Sequence, residues 1–341
     1  MLNRTVSRRD ALRITAVAGV STVFGGGLAV GILRQAGLQR ISETRSQMGT
    51  VVTITVVHPE AAAARQMVTA SFAEMARIEG VLSRHRDDTP VARLNATGRL
   101  EGPPPELVTV LERANHYSRE TNGAFDITIA PLLTLFEHSF DDLGRTPTEG
   151  DVTAARELVD YRALHVTDES IEFEDARMSV TLDGIAKGFV VDRTIDVLIA
   201  GGAKRVMVNA GGDIATGGPG SEAEPWTVGI QDPNDATDYV GLVRLGGECI
   251  ATSGDYIGSF TEDRQFHHII DPRTGRSPEE LSSVSVVAST AMDADALSTA
   301  VLVLGPERGI NLLENTEGVE GVVIRKDGAL VRSSGIGRHA V

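Results

Sequence analysis

The sequence predicts an α+β protein with a mixed β-sheet core and flanking helices. Three observations predict it. Short β-branched segments recur along the chain, several segments carry apolar residues at helical spacing, and the two kinds do not alternate strictly as in a doubly wound fold. The core must be aliphatic, because 41% of residues are hydrophobic and only 4% aromatic. At 341 residues the chain can form one large domain or two smaller ones.

The elements follow in order. Met48–Val57, MGTVVTITVV, is β-branched and reads as a strand. Glu60–Arg84 has helical spacing through Met67, Phe72, Met75, Ile78 and Leu82. Pro103-Pro104-Pro105 starts a helix with Leu107, Val110, Leu111 and Ala114 on one face. Leu135–Gly150 is polar and reads as a loop or an insertion, and Asp151–Val159 as a helix. Strands are expected near 165–166, 171–173 and 178–182. A helix then runs from Gly184 through Leu198 and stops at Gly201-Gly202. RVMVNAGGDIATGG reads as strand, glycine turn, strand. Further strands are expected at 226–230, 240–245, 249–252, 267–270 and 284–288. Asp293 is expected to cap a helix through Leu304, ended by Gly305-Pro306, with two strands near 321–324 and 329–332 closing the chain.

The chain carries 32 basic and 47 acidic residues, a formal charge of −15. Such a surface repels nucleic acid, which is discounted as a partner. Lysines are few: Lys187, Lys204 and Lys326. A single cysteine, Cys249, excludes an internal disulfide or a cysteine-rich metal site and reads as a small buried hydrophobe. Arg8-Arg9 precede an uncharged, glycine-rich stretch, Ile14–Leu33. This reads as a Tat-type export signal over residues 1–36, cleaved near Ala29 or Ala36 or kept as an N-terminal anchor. The rest of the chain is then expected outside the cytoplasm, in the periplasm or on the outer face of the membrane.

GxxxxGK[ST], HExxH and GxSxG are absent, and NAGGDIATGG lacks dinucleotide-binding spacing. Four constellations remain. In LDGIAKGF, Lys187 falls in the first turn of a helix, where a lysine and free N–H groups hold phosphate; Asp183 could equally be a simple cap. In AMDADALSTA, Asp295 and Thr299 share a helix face, and a carboxylate with a hydroxyl suits Mg²⁺; capping alone is the alternative. In TNGAFDITIAPL, Phe125 and Asp126 beside the Asn122-Gly123 turn could grip a planar ring, or the turn could be that of a hairpin with Phe125 in the core. In HHIIDPRTG, His268 stands three residues before Asp271, as a base, a phosphate contact or a core histidine.

Together and in this order these segments resemble the ApbE family, the FAD:protein FMN transferases, from about Met48 to about Gly305. The resemblance also takes in LSRHRDDTPVARLN (82–95), VNAGGDI (208–214) and IATSGDY (250–256). It implies an ApbE-like fold over roughly residues 45–335 and FAD as substrate. It further implies that, with Mg²⁺ bound, the pyrophosphate is cleaved and FMN passes to a threonine or serine hydroxyl of an acceptor flavoprotein, releasing AMP. The implied acceptors are often subunits of membrane electron-transfer complexes. Lys187 matches a phosphate contact. Met48, Ala124, Phe125, Asp126 and Ile269 match positions lining the nucleotide. The side chains of Asp295 and Thr299 and the carbonyls of Gly184 and Ser298 match the metal ligands. His268 is implied to lie by the pyrophosphate or the attacking hydroxyl, with Asp271 and Pro272 fixing the turn. His268, Asp271 and Lys187 thus form the expected catalytic set. Two positions depart from the pattern: Thr181 stands where the family often has Asp, and His85 where it often has Tyr. A Mg²⁺-dependent FAD pyrophosphatase and a non-catalytic exported FAD-binding protein remain as alternatives.

Overall fold

β-branched residues dominate 50–58 and form strand β2 (Thr50–His58), paired antiparallel with β1 (Gln39–Gln47). The expected strand began at Met48. Met48 and Gly49 are instead the two-residue turn of this hairpin, with φ of 53° and 68°. Two positive φ values match the twist of the flanking strands, and they are uncommon for a methionine. β1 was not expected: its sequence, QRISETRSQ, is polar on both faces, as suits a sheet edge. A computed structural model describes residues 37–340, so the leader read at 1–36 lies outside the described residues. No described helix is long and apolar enough to cross a membrane.

Eight α-helices are described: α1 (Ala61–Leu82), α2 (Pro90–Thr97), α3 (Pro105–Glu120), α4 (Ala130–Glu137), α5 (Glu149–Arg156), α6 (Ala186–Ala200), α7 (Ala291–Leu304) and α8 (Pro306–Glu314). Strands β3 (Arg99–Glu101), β4 (Leu164–Val166) and β5 (Ser170–Phe173) form a small sheet of order β3-β5-β4. The others are β6 (Arg205–Ala210), β7 (Asp213–Gly217), β8 (Trp226–Gln231), β9 (Tyr239–Leu245), β10 (Cys249–Gly254), β11 (Leu281–Ala288), β12 (Glu320–Arg325) and β13 (Leu330–Arg332). The main sheet has the order β1-β2-β6-β7-β10-β11-β12-β13, with antiparallel pairing throughout.

Both faces of this sheet are covered. Val206, Val208 and Ala210 point into the main core with Val52, Ile54 and Val56, beneath α1, α6 and α7. The alternate residues Val57, Met207, Ile214, Ile250 and Val287 meet Trp226, Val228 and Leu245 of the β8–β9 hairpin. β11 is therefore buried at every residue, its three serines included. Helix α7 is buried all round except at Met292, Thr299 and Leu304, so its acidic and hydroxyl side chains require partners inside the protein.

Five expectations are corrected. Residues 178–182 are extended but join no ladder: the Asn95 amide bonds both the N–H and the carbonyl of Val180, at 2.8 and 2.9 Å, in place of a neighbouring strand. Residues 267–270 form no strand: His267 alone makes an isolated bridge, to Ser259. The cap of α7 is Thr290, accepting the Asp293 N–H at 3.1 Å, and Asp293 instead pairs with Arg113 at 2.6 Å. Residues 135–150 are not all loop or insertion: they hold the end of α4, a π-turn, His138–Asp142, and the start of α5. Asn122-Gly123 ends α3 rather than turning a hairpin.

Gly188 of α6 lies directly against α7, and a β-carbon there would overlap the Ala291 carbonyl. Gly188→Ala is expected to destabilise by about 1–3 kcal/mol through overpacking. Gly241→Ala, where nothing stands within 4 Å, should be near neutral. The urea midpoints of the two variants check this pair.

Candidate active site

The polypeptide leaves the extended stretch 178–182, turns through Leu182–Ile185 and enters α6, so Lys187 sits in the first helical turn. Two cavities of about 170 and 450 Å³ open here and share Asp183, Lys187 and His268 as walls. Lys187 Nζ lies 3.1 Å from Asp213 Oδ2 on β7. Asp213, which the sequence did not single out, and Asp295 are buried, at 2% and 5% exposure. The Asp213 charge holds the Lys187 ammonium well above its ordinary range, against the pull of burial. Burial pushes the Asp213 carboxyl up, opposed by Lys187. Burial and then Asp213 push Asp295 up strongly. Two buried carboxylates thus share one ammonium.

Asp295 Oδ2 accepts the Gly188 N–H at 3.0 Å. One turn on, Thr299 faces the smaller cavity with Asp295, and its Oγ1 lies 3.1 Å from Ser253 Oγ of β10. Ser298 is buried; its hydroxyl donates to the Asp295 carbonyl at 2.9 Å and meets Ser253 at 2.8 Å. Gly184 abuts Thr299 and the Phe125 ring, where a β-carbon would crowd Thr299 Oγ1 at 3.1 Å. Among the described residues no group of three or more His, Cys, Asp or Glu could hold a metal. The donor set is one carboxylate, hydroxyls and nearby carbonyls. Hard oxygen of this kind fits Mg²⁺ with water completing the shell, and a cation here would relieve the excess negative charge of Asp295 and Asp213.

The smaller cavity is lined by Ala124, Phe125, Asp126, Thr181 and Ile269, all buried. Phe125 packs edge-on to Tyr117 at 6.5 Å. Asp126 is pushed up to about 6 by burial, although it accepts the N–H groups of Thr128 and Tyr161 at 2.8 and 3.0 Å. It therefore shapes the wall as well as facing the cavity. Thr181 Oγ1 accepts the Asp183 N–H at 3.2 Å and so holds the turn into α6. Met48, at the β1–β2 turn, and His85, exposed after α1, line the larger cavity. Asp183 is not the cap of α6. It pairs with Arg84 at 2.9 Å, and Arg84 also reaches Glu137 at 2.8 Å. Burial opposes the Asp183 charge, but His85 and Arg84 outweigh it and hold the carboxyl far below its usual range.

The adjacent histidines diverge. His267 is fully buried, and its Nε2 lies 3.1 Å from the Pro278 carbonyl. His268 faces both cavities, and Gly258 leaves room for its ring. Asp271 lines neither cavity. Its carboxylate binds Arg273 at 2.8 Å and its backbone closes the turn with Gly275 and Arg276, while Pro272 reaches the smaller cavity. The loop bearing His268 is anchored by Asp255, fully buried and 2.5 Å from Lys326 Nζ. Asp213, Ser253, Asp255 and Arg84 were missed as site residues. Asp213 and Asp255 lie in the VNAGGDI and IATSGDY segments, but only the folded chain brings their lysines to them.

A junction carrying a lysine and a buried carboxylate, set between two cavities, has the shape and charge to take an extended ligand with phosphates in its middle. The ApbE family matches residues 48–323, and the chain belongs to that family. The FAD:protein FMN transferase of Treponema pallidum is 31% identical over 326 residues, covering 89% of each chain. That of Salmonella typhimurium is 29% identical over 291 residues, 82% of this chain and 83% of the relative. The solved ApbE protein from Thermotoga maritima aligns with a TM-score of 0.80 at 27% identity, over 89% of this chain and 100% of that one. Flavin transferase ApbE from Vibrio cholerae aligns at 0.77 and 27%, over 89% and 99%. These likenesses agree with the α+β fold and with the family read from the sequence.

Burial, helped by the charges of His267 and Lys187, lowers His268 to about 4. Its imidazole should stay neutral through the physiological range and titrate near that value by NMR, with the resonance missing in His268→Gln. Because the unfolded histidine takes up its proton near 6.5, this site should withdraw stability as pH falls from there towards 4. A titration midpoint near 6.5 would contradict the burial assigned to this ring.

Proposed function

We propose that this chain is an FAD:protein FMN transferase, exported by its twin-arginine leader, that attaches FMN to a threonine or serine hydroxyl of an acceptor flavoprotein and releases AMP. The observation that carries the reading is the position of Lys187 and His268 where the two cavities meet, beside the Asp295–Thr299 face. FAD is two nucleotides joined by a pyrophosphate, so its most charged part belongs at such a junction. Lys187, kept charged by Asp213, would hold the phosphate oxygens from the amino end of α6. Phe125, Ala124 and Ile269 would pack on the nucleotide, and Met48 and His85 would flank its other half.

Asp295, Thr299 and the carbonyls of Gly184 and Ser298 would hold Mg²⁺. Bound there, the ion would supply charge stabilisation to the pyrophosphate during displacement at phosphorus. The acceptor hydroxyl oxygen forms a bond to the FMN-side phosphorus, the bond to the AMP oxygen breaks, and AMP departs with the electron pair. His268, kept neutral by burial, accepts the hydroxyl proton. Asp271 acts through the turn that presents His268. Thr181 holds the turn into α6, and with it Lys187, without a charge. The export signal suits an acceptor that is a subunit of a membrane electron-transfer complex.

The purified soluble chain should release AMP from FAD with Mg²⁺ and not with EDTA, and a threonine-bearing acceptor flavoprotein should become covalently flavinylated. Asp295→Ala should lose turnover by about 100-fold or more, the scale of losing one electrostatic stabiliser. AMP without acceptor labelling would identify a pyrophosphatase. Bound FAD with no AMP in the presence of acceptor would identify a binding protein.

A further inference from the structure

Helices α6 and α7 cap each other. Asp192 of α6 accepts the Ala291 N–H at 2.8 Å and the Met292 N–H at 2.9 Å, at the amino end of α7. In return Asp295 of α7 accepts the Gly188 N–H in the first turn of α6, at 3.0 Å. The bare Gly188 backbone lets the two helices touch between these bonds. Thr290 separately supplies the ordinary cap of α7. We propose that Asp192 is a positioning residue: its carboxylate sets α6 against α7, and so sets the spacing of Lys187 from the Asp295–Thr299 face and the affinity of that face for a divalent cation. The inference rests on the reading of that face as a cation site.

The physical reason is directional. A carboxylate can satisfy two converging N–H groups with its two oxygens, and an amide or a protonated carboxyl presents only one unhindered acceptor. Loss of one bond frees one N–H at the start of α7, three or four residues before Asp295. Thr290, which bonds only within its own helix, offers the same kind of capping without linking α7 to α6.

Asp192 does not line the two cavities of the site. It opens on a separate cleft of about 610 Å³, walled by Arg77, Glu106, Arg193, Cys249 and Met292. Protons can therefore reach it without passing the substrate. The charged and titratable groups around it are Arg193 and Asp196 on α6, Asp293 on α7 and Cys249 on β10, with Glu74 and Arg77 on α1 and Glu106 on α3. Burial is the main cause that raises its carboxyl to about 6.

The test is a Mg²⁺ titration of FAD binding, read by flavin fluorescence, in the wild type, Asp192→Asn and Thr290→Val. It is run at about pH 8 and about pH 5, either side of the Asp192 titration, with a melting temperature for each protein. At the higher pH Asp192→Asn should need about tenfold more Mg²⁺, as for other groups that orient a ligand from behind. At the lower pH its midpoint should converge on that of the wild type, whose Asp192 is then protonated. Thr290→Val should melt lower and keep the wild-type midpoint at both. If the two variants shift the midpoint alike, or if the Asn variant differs from wild type equally at both pH values, Asp192 is merely structural and the proposal fails. Should the Asn variant not fold, Asp192→Glu takes its place: a longer arm should also raise the midpoint, and an unchanged midpoint overturns the proposal. A wild type that binds FAD with no regard to Mg²⁺ would instead refute the cation reading itself and remove the basis of this one.

Discussion

Helices α6 and α7 approach at Gly188 with no room for a β-carbon, and the site is organised around that contact. The approach brings the amino end of α6, with Lys187, beside the buried face of α7, with Asp295 and Thr299. It also exposes backbone N–H groups of each helix to a carboxylate of the other. Ala291, Ala294 and Ala296 keep α7 narrow enough to sit in the core against α6, β10 and β11. The sheet behind is a rigid floor buried on both faces, so the helices cannot relax into it.

Charge is concentrated where solvent is scarce. Of the three lysines, two pair with deeply buried aspartates: Lys187 with Asp213, and Lys326 with Asp255. Replacing such pairs with apolar residues is often neutral or stabilising, so buried pairs are weak contributors to folding. Their placement is more informative. The first pair sets an ammonium at the junction of the cavities, and the second anchors the loop that carries His268. Asp295 is raised in proton affinity first by burial and then by the Asp213 charge, which Lys187 only partly offsets. A bound divalent ion and an anionic pyrophosphate would complete the set together, the ion answering the carboxylates and Lys187 the phosphate.

The aromatic residues divide along similar lines. Phe136, Phe140, Phe260 and Phe266 form a satellite cluster that ties α4 and its π-turn to the loop before His268, with the Phe140 and Phe260 rings stacked at 5.2 Å. Among the described phenylalanines of the main core, Phe125 is the one that also lines the smaller cavity. The wall near His268 is thus fixed by ring packing on one side and by the buried Asp255 pair on the other. A loop without regular structure can hold a side chain in place under those two constraints.

Much of the fold was legible in the sequence because β-branched runs and 3.6-residue spacing survive folding unchanged. α1, α3, α6, α7 and most strands of the main sheet were read within a few residues. Elements whose partners are side chains or edges were not: β1 is polar on both faces, α2 and α8 are short, and 178–182 bonds to Asn95 rather than to a strand. Within the site, Lys187, Asp295, Thr299 and His268 could be picked out by type and spacing, each belonging to one local segment. The Thr181 substitution was visible too, though its bond to the Asp183 N–H was not. What the tertiary structure decided is which charges meet. Lys187 and Asp213 are 26 positions apart, Asp192 and Ala291 99. Local periodicity is set by neighbours along the chain, and carries no record of pairings made across it. Those pairings exist only once two helices close at a glycine over a filled sheet.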